Sequence, residues 1–240
     1  FHSVSAFCNA GIDIIGPDSL HPYVTNPLMN LTTIGLIMMG GLGFVVWWDI
    51  GGKIVKVIKK ELWLHQFWQR LELHTKIVLT MTGILIFGGA ALILVLEYNN
   101  PQTIGSFSFG EKVLACLFQS VTTRTAGFAT IPQENMTNSS AFVSLLLMFI
   151  GGSPAGTAGG IKTVTIVVLI ATAYTTIKNK NEVSLFNRDL TRQTVRKAVA
   201  VSGMSFCIMF VSTILLSLVT DAAALDILYE TISATATVGL

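Results

Sequence analysis

Four apolar stretches constrain this chain more than anything else in it. Pro27–Trp48, Ile77–Leu96 and Ala198–Thr220 contain no charged residue, and a longer one, from Ser139 to about Ile177, contains only Lys162. A helix needs about 20 predominantly apolar residues to cross a bilayer, so each stretch is long enough to span. The composition agrees. Of 240 residues, 52% are hydrophobic and 12% charged, whereas a soluble domain carries about 25% charged residues. The expected fold class is an all-α multi-pass membrane protein. The formal net charge of +2 gives no reason to expect a nucleic-acid partner.

Between the long stretches lie three shorter apolar pieces, Phe1–Ile12, Val113–Thr123 and Ile227–Leu240. They are too short to cross, and in a membrane protein such pieces form re-entrant half-helices that return to the side they entered from. The rhythm is short, long, long, short, long, long, short. It predicts repeated units of span, half-helix and span, of which only the middle copy is complete. The predicted boundaries are 1–59 (half-helix and following span), 60–180 (a complete unit whose final helix is interrupted) and 181–240 (span and half-helix).

Charge orients this pattern. Twelve of the fifteen basic residues fall in two segments: Lys53, Lys56, Lys59, Lys60, Arg70 and Lys76, then Lys178, Lys180, Arg188, Arg192, Arg196 and Lys197. The positive-inside rule makes both cytoplasmic, so every half-helix opens on the outer side. Asp13, Asp18, Glu97, Glu111, Glu134, Asp221, Asp226 and Glu230 are expected near the outer face, with Lys112 as the outer lysine. A negative vestibule of this kind concentrates cations. The cytoplasmic stretch Lys59–Lys76 mixes basic, aromatic and apolar residues, as an amphipathic segment on the inner leaflet does.

The half-helices carry the chemistry. Phe1–Gly11 reads FHSVSAFCNAG, Leu117–Gly127 reads LFQSVTTRTAG and Tyr229–Gly239 reads YETISATATVG. The ends align as Asn9-Ala10-Gly11, Thr125-Ala126-Gly127 and Thr237-Val238-Gly239, with the glycines 116 and 112 residues apart. The starts align better when the middle copy is shortened by one residue, which leaves the register inside the half-helix open. A half-helix directs its negative C-terminal dipole toward the membrane centre. Glycine there permits backbone conformations that aim successive carbonyls at one point, and rings of carbonyls replace the hydration shell of a cation. By contrast, GGLG at Gly40–Gly43 reads as small residues that ease helix packing.

Two further features stand out. Arg124 directly precedes Thr125. A guanidinium in hydrocarbon costs at least about 2.5–3.5 kcal/mol, so Arg124 is expected to brace the filter loop through carbonyls or an acid such as Glu230. Residues 151–160 read GGSPAGTAGG (Gly151, Gly152, Ser153, Pro154, Ala155, Gly156, Thr157, Ala158, Gly159, Gly160) inside a stretch otherwise fit for one helix. Five glycines and a proline break it, and broken helices at membrane depth mark transport pathways. The break is expected to act as a gate, with Lys162 pairing with an acid or backbone carbonyls or repelling cations. It does not match the phosphate-binding GxxxxGK[ST] or the nucleophile elbow GxSxG. Cys8, Cys116 and Cys207 and the four histidines show no metal-ligand spacing. An enzyme and a cofactor are therefore not expected. The competing reading is a broken-helix secondary permease for a small solute.

SVTTRTAGF, FHSVSAFCNAG and SATATVGL, together with LLLMFIGGSPAGTAGGIKT, resemble the Trk/Ktr/HKT superfamily of potassium transporters, most closely the ion-translocating membrane subunit of bacterial Ktr systems. The resemblance implies four units around one central pore in the bacterial cell membrane. K⁺ would be the transported ion, held at the filter carbonyls, with no cofactor in this chain. It also implies a pore-obstructing loop at Gly151–Gly160, a homodimer in the lipid, and a cytoplasmic ring of nucleotide-binding regulatory subunits. The chain opens at Phe1 and is expected to be a piece of a longer protein, lacking the first unit and the last span.

Overall fold

The computed structural model describes residues 1–16, 19–179, 182–186 and 188–240. Asp18 and Lys180, counted above among the outer acids and the inner bases, lie outside the described residues. Ten α-helices follow one another in chain order among the described residues. They are α1 (His2–Phe7), α2 (Pro27–Leu42), α3 (Phe44–Ile58), α4 (Phe67–Arg70), α5 (Leu73–Glu97), α6 (Phe109–Thr122), α7 (Asn138–Phe149), α8 (Thr163–Ile177), α9 (Arg192–Val219) and α10 (Ala224–Ala236). A two-residue antiparallel pair, Ser184–Leu185 with Arg188–Asp189, precedes α9.

Local chemistry starts the helices. Pro27 occupies the first turn of α2, where its missing N–H costs nothing, and the Asn26 side chain accepts from Met29 N at 3.1 Å. Ser108 and Glu111 form a reciprocal capping box on α6. Hydrogen bonds from the Ser108 hydroxyl and backbone N–H hold the Glu111 carboxyl below its ordinary pKa. Thr137 caps α7 and Thr191 caps α9 through their hydroxyls.

Two helices, α5 with 25 residues and α9 with 28, are long and apolar enough to cross a membrane. The stretch Pro27–Trp48 is not one span. Gly43, at φ +82°, ends α2 after 16 residues, and α3 leaves at 96°. Asp49 on α3 accepts from Glu72 N at 2.9 Å and pairs with Lys53 at 3.5 Å, tying α3 to the start of α5. Lys59–Lys76 holds a turn, a short 3₁₀ segment, α4 and the first residues of α5. The stretch Ser139–Ile177 is broken as expected, into α7 and α8.

The half-helix α6 is the centre of the molecule. It packs against α5 and α2, with Ile34, Ile37, Ile86, Phe118, Val121 and Phe128 forming the core around its C-terminal end. Ser120 donates to Ile86 O at 2.8 Å. In lipid, such close packing and interhelical bonding replace the hydrophobic drive of water. The half-helix α10 packs on α9 and α7, and α1 on α2.

Glu97 is not in the vestibule. It is fully buried and accepts from Thr103 Oγ1 (2.6 Å), Asn100 Nδ2 (2.7 Å), Thr137 N (2.8 Å) and Thr137 Oγ1 (2.7 Å). It fastens the end of α5 to the cap of α7. Lys112 is buried too, donating to Tyr98 O at 2.7 Å and lying 4.0 Å from the centre of the Tyr98 ring.

Candidate functional site

The helices α1, α6 and α10 end in one recurring backbone shape. Asn9, Thr125 and Thr237 adopt φ of +51°, +71° and +58°, and two residues later Gly11, Gly127 and Gly239 adopt +66°, +80° and +84°. A β-branched residue at positive φ is a true conformational outlier, and two of the three copies hold one. The turn is closed in each copy by an N–H from the residue before the glycine. Ala10 donates to Ser5 O at 2.9 Å, Ala126 to Thr122 O at 2.9 Å and Val238 to Ser233 O at 2.8 Å. This equivalence settles the register. Ser5, Thr122 and Ser233 correspond, and the middle copy is one residue shorter between that position and the glycine.

The three turns meet. A Cβ added to Gly11 would lie 2.5 Å from Ala126 O and 2.8 Å from Gly127 Cα, and one added to Gly127 would overlap Val238 O. The middle turn is sandwiched between the other two, and every residue from Val121 to Phe128 is buried. Among the described residues, none of the nine carbonyls of Asn9–Gly11, Thr125–Gly127 and Thr237–Gly239 accepts a hydrogen bond from the protein. In the middle turn, where Thr125, Ala126 and Gly127 are all buried, this stands out, because buried carbonyls are almost always paired, and it marks a place for water or a cation.

Directly against these turns lies the loop between α7 and α8. Its neck is closed by Gly151 N to Ile161 O (3.0 Å), Ile161 N to Phe149 O (3.2 Å) and Thr163 N to Gly152 O (3.1 Å). Its body touches all three turns. Thr157 Oγ1 donates to Asn9 Oδ1 at 2.8 Å, Gly159 N donates to Thr125 Oγ1 at 3.1 Å, and a Cβ on Gly159 would overlap Thr237 Oγ1. The side chains of the three left-handed residues are thus all in contact with one loop. Lys162 Nζ donates to Ala158 O within it, so the lysine pairs with backbone rather than an acid.

The other side of the loop docks on the break between α2 and α3. The last four carbonyls of a helix have no partner within it, and at membrane depth they must find one. For α2 the partners are all identified. Trp47 Nε1 donates to Met39 O (2.8 Å), Thr157 N to Gly40 O (3.3 Å), Ser153 N to Gly41 O (3.0 Å) and Ser153 Oγ to Leu42 O. In return Phe44 N, at the start of α3, donates to Ala155 O at 3.2 Å. Gly40–Gly43 is therefore a loop-docking elbow, not merely a helix-packing patch.

The sequence matches the TrkH family, described as a cation transport protein, over residues 1–240. The chain belongs to this family. It is 38% identical over its full length to the Ktr system potassium uptake protein B of Vibrio alginolyticus and, again at 38%, to that of Bacillus subtilis, covering 50% and 51% of those proteins. The potassium transporter TrkH of Vibrio parahaemolyticus shares the fold, with a TM-score of 0.74 at 18% identity over 98% of this chain and 48% of that one. The chain spans about half the length of the relatives it matches.

In this TrkH-family chain Arg124 is 8% exposed, and among the described residues its side chain forms no hydrogen bond. The ion pair found among those residues is Lys53–Asp49, so Glu230 does not hold Arg124. Arg124 instead lines a cavity of about 10 Å³ with Asn9, Ile37, Thr82, Val121 and Gly152, where α2, α5 and α6 meet. Of the acids expected near the outer face, Glu134, Asp226 and Glu230 line one cavity of about 450 Å³ together with His21 and Tyr229.

Three site residues escaped the sequence reading: Ser5, Thr122 and Ser233. Their hydroxyls donate to the carbonyl that follows each glycine, Ser5 to Ile12 O at 2.7 Å, Thr122 to Phe128 O at 2.6 Å and Ser233 to Leu240 O at 3.0 Å. The signal was present. Shortening the middle copy by one residue places a hydroxyl at the same position in all three.

Proposed function

We propose that this chain forms part of a pathway for K⁺ across the cell membrane, with the carbonyls of Asn9–Gly11, Thr125–Gly127 and Thr237–Gly239 as its selectivity filter. The single observation that supports this most is that three left-handed turns adjoin and that, among the described residues, their nine carbonyls accept no hydrogen bond from the protein. Side-by-side carbonyls with no protein donor suit a dehydrated alkali cation. The potassium uptake assigned by name to the Ktr relatives points to the same ion. K⁺ would enter from the cavity bordered by Glu134, Asp226 and Glu230, lose water at the glycines, and meet the Gly151–Gly160 loop as a gate. The membrane potential supplies about 2.3 kcal/mol per elementary charge per 100 mV.

On this reading residues 1–59, 60–180 and 181–240 are the second, third and fourth of four filter units. The exposed cytoplasmic-side helix α3 and the basic segments suit contact with lipid and with a regulatory ring, and the membrane subunit works as a homodimer. The protein makes and breaks no covalent bonds.

Rubidium uptake in potassium-requiring cells lacking their own transporters tests the proposal, with the protein expressed at full length. Gly127→Ser places a Cβ on Val238 O, and the expected loss of uptake is about tenfold or more, the equivalent of about 1.4 kcal/mol. Uptake equal to the parent's would refute the filter assignment.

A further inference from the structure

We propose that the hydroxyls of Ser5, Thr122 and Ser233 are specificity-setting groups. Each ends the run of cation-facing carbonyls at its glycine by holding the next carbonyl against the half-helix. The inference rests on the filter reading above and deepens it.

The observations are the same in three places. Each hydroxyl lies at the end of a half-helix, and all three residues are buried, with exposures of 6%, 0% and 3%. Each donates across the turn to the backbone oxygen one residue beyond the glycine, at 2.6–3.0 Å, which in the third copy is that of the last residue, Leu240. The backbone oxygen of the same residue accepts the N–H that closes the turn. One residue therefore clamps both ends of the turn, its carbonyl holding the entry and its hydroxyl the exit. In the third copy Ser233 Oγ also accepts from Gly239 N and Leu240 N, both at 3.1 Å.

The consequence is a boundary. From Asn9, Thr125 and Thr237 through the glycine the carbonyls are unpaired among the described residues, and in every copy the next one is taken. An oxygen that meets a hydroxyl on the helix behind the turn faces that helix, not the neighbouring turns. Three residues of different local sequence (SAFC, TTR and SATA lead into the turns) arrive at the same bond. The middle copy keeps it despite being one residue shorter, by joining residues six apart where the others join residues seven apart. A bond preserved across that change of spacing is not a by-product of helix geometry. The adjacent Thr123 provides the contrast, since its hydroxyl donates only back into its own helix, to Gln119 O and Ser120 O.

Without the clamp, the fourth carbonyl is free to turn toward the ion and the glycine carbonyl to relax. A looser ring discriminates less between ions of different radius. Thr122→Val removes the donor and keeps the shape, whereas Thr122→Ser keeps the donor.

The test is the ratio of Rb⁺ to Na⁺ uptake by the full-length protein in cells. Thr122→Val is expected to lower this ratio about fivefold, the equivalent of one net hydrogen bond of about 1 kcal/mol. Thr122→Ser and the control Thr123→Val are expected to stay within about twofold of the parent. If Thr122→Val fails to reach the membrane, Ser5→Ala and Ser233→Ala carry the same test, each with an expected drop of at least about twofold. A parent that takes up no Rb⁺ overturns the filter reading and this inference with it. A parent that takes up Rb⁺, with clamp-deleted variants that keep the parental ratio, overturns this inference alone.

Discussion

Two glycine-rich breaks interrupt apolar helices in this molecule, and they solve opposite halves of one problem. At Gly40–Gly43 the chain turns 96° on a single left-handed glycine and leaves the carbonyls of Gly40, Gly41 and Leu42 without helical donors. At Gly151–Gly160 the chain opens into a loop whose N–H and hydroxyl groups have no helix to enter. The loop donates to the elbow, so each break satisfies the other. An abrupt bend in a membrane helix is tolerable only where its freed backbone groups are paired, and here the partner is the proposed gate. The elbow also begins α3, which leads to the basic segment Lys53–Lys76. The Phe44 N–Ala155 O hydrogen bond joins the start of α3 to the loop.

The strongest way to break this pairing is to remove the donor side. Deleting Ser153–Thr157 takes away the partners of three α2 carbonyls and the contact with Asn9. If the loop obstructs the pathway, the expected result is a resting Rb⁺ flux raised about tenfold, with lowered stability. Loss of folded protein with no gain of flux in what remains would reduce the loop to a kink. Next in size is the acceptor side. Gly40→Ala drives a Cβ onto Phe7 O, and overpacking of this kind costs about 1–3 kcal/mol. The melting temperature of the detergent-solubilised protein is expected to fall. Gly52→Ala, in α3 with nothing within 4 Å, should match the parent or gain about 0.5–1 kcal/mol. Equal melting points for the two variants would show that the elbow is not a tight docking surface. The smallest change sharpens the comparison: Ser153→Ala removes the hydroxyl that donates to Leu42 O and to Pro154 O, worth about 1 kcal/mol. A modest rise in resting flux with an unchanged fold is expected, and a flux identical to the parent's would mean that this bond does not hold the loop.

Much of this arrangement was legible before any coordinates. The half-helices were visible as apolar runs too short to span, and their ends as three tripeptides with small middle residues and a final glycine. The break at 151–160 was visible because five glycines and a proline defeat helix propensity outright. The elbow was not visible. GGLG sits in an uncharged run of spanning length, and glycines in such runs more often serve close packing than a bend. What bends the chain there is the set of donors on a loop more than a hundred residues away. Glu97 misled for a related reason. A carboxylate at the end of an outer helix reads as a solvated vestibule charge, but Thr103, Asn100 and Thr137 together supply enough donors to bury it.

By itself, the sequence determined that this is a helical membrane protein with three short apolar segments that each run to a glycine, because length, apolarity and backbone freedom are local properties. The tertiary structure alone decided that the three turns adjoin, which hydroxyls close them, and that the two breaks interlock. Those outcomes depend on hydrogen-bond donors and acceptors from distant parts of the chain meeting at one place, and no local pattern encodes where a distant partner will be.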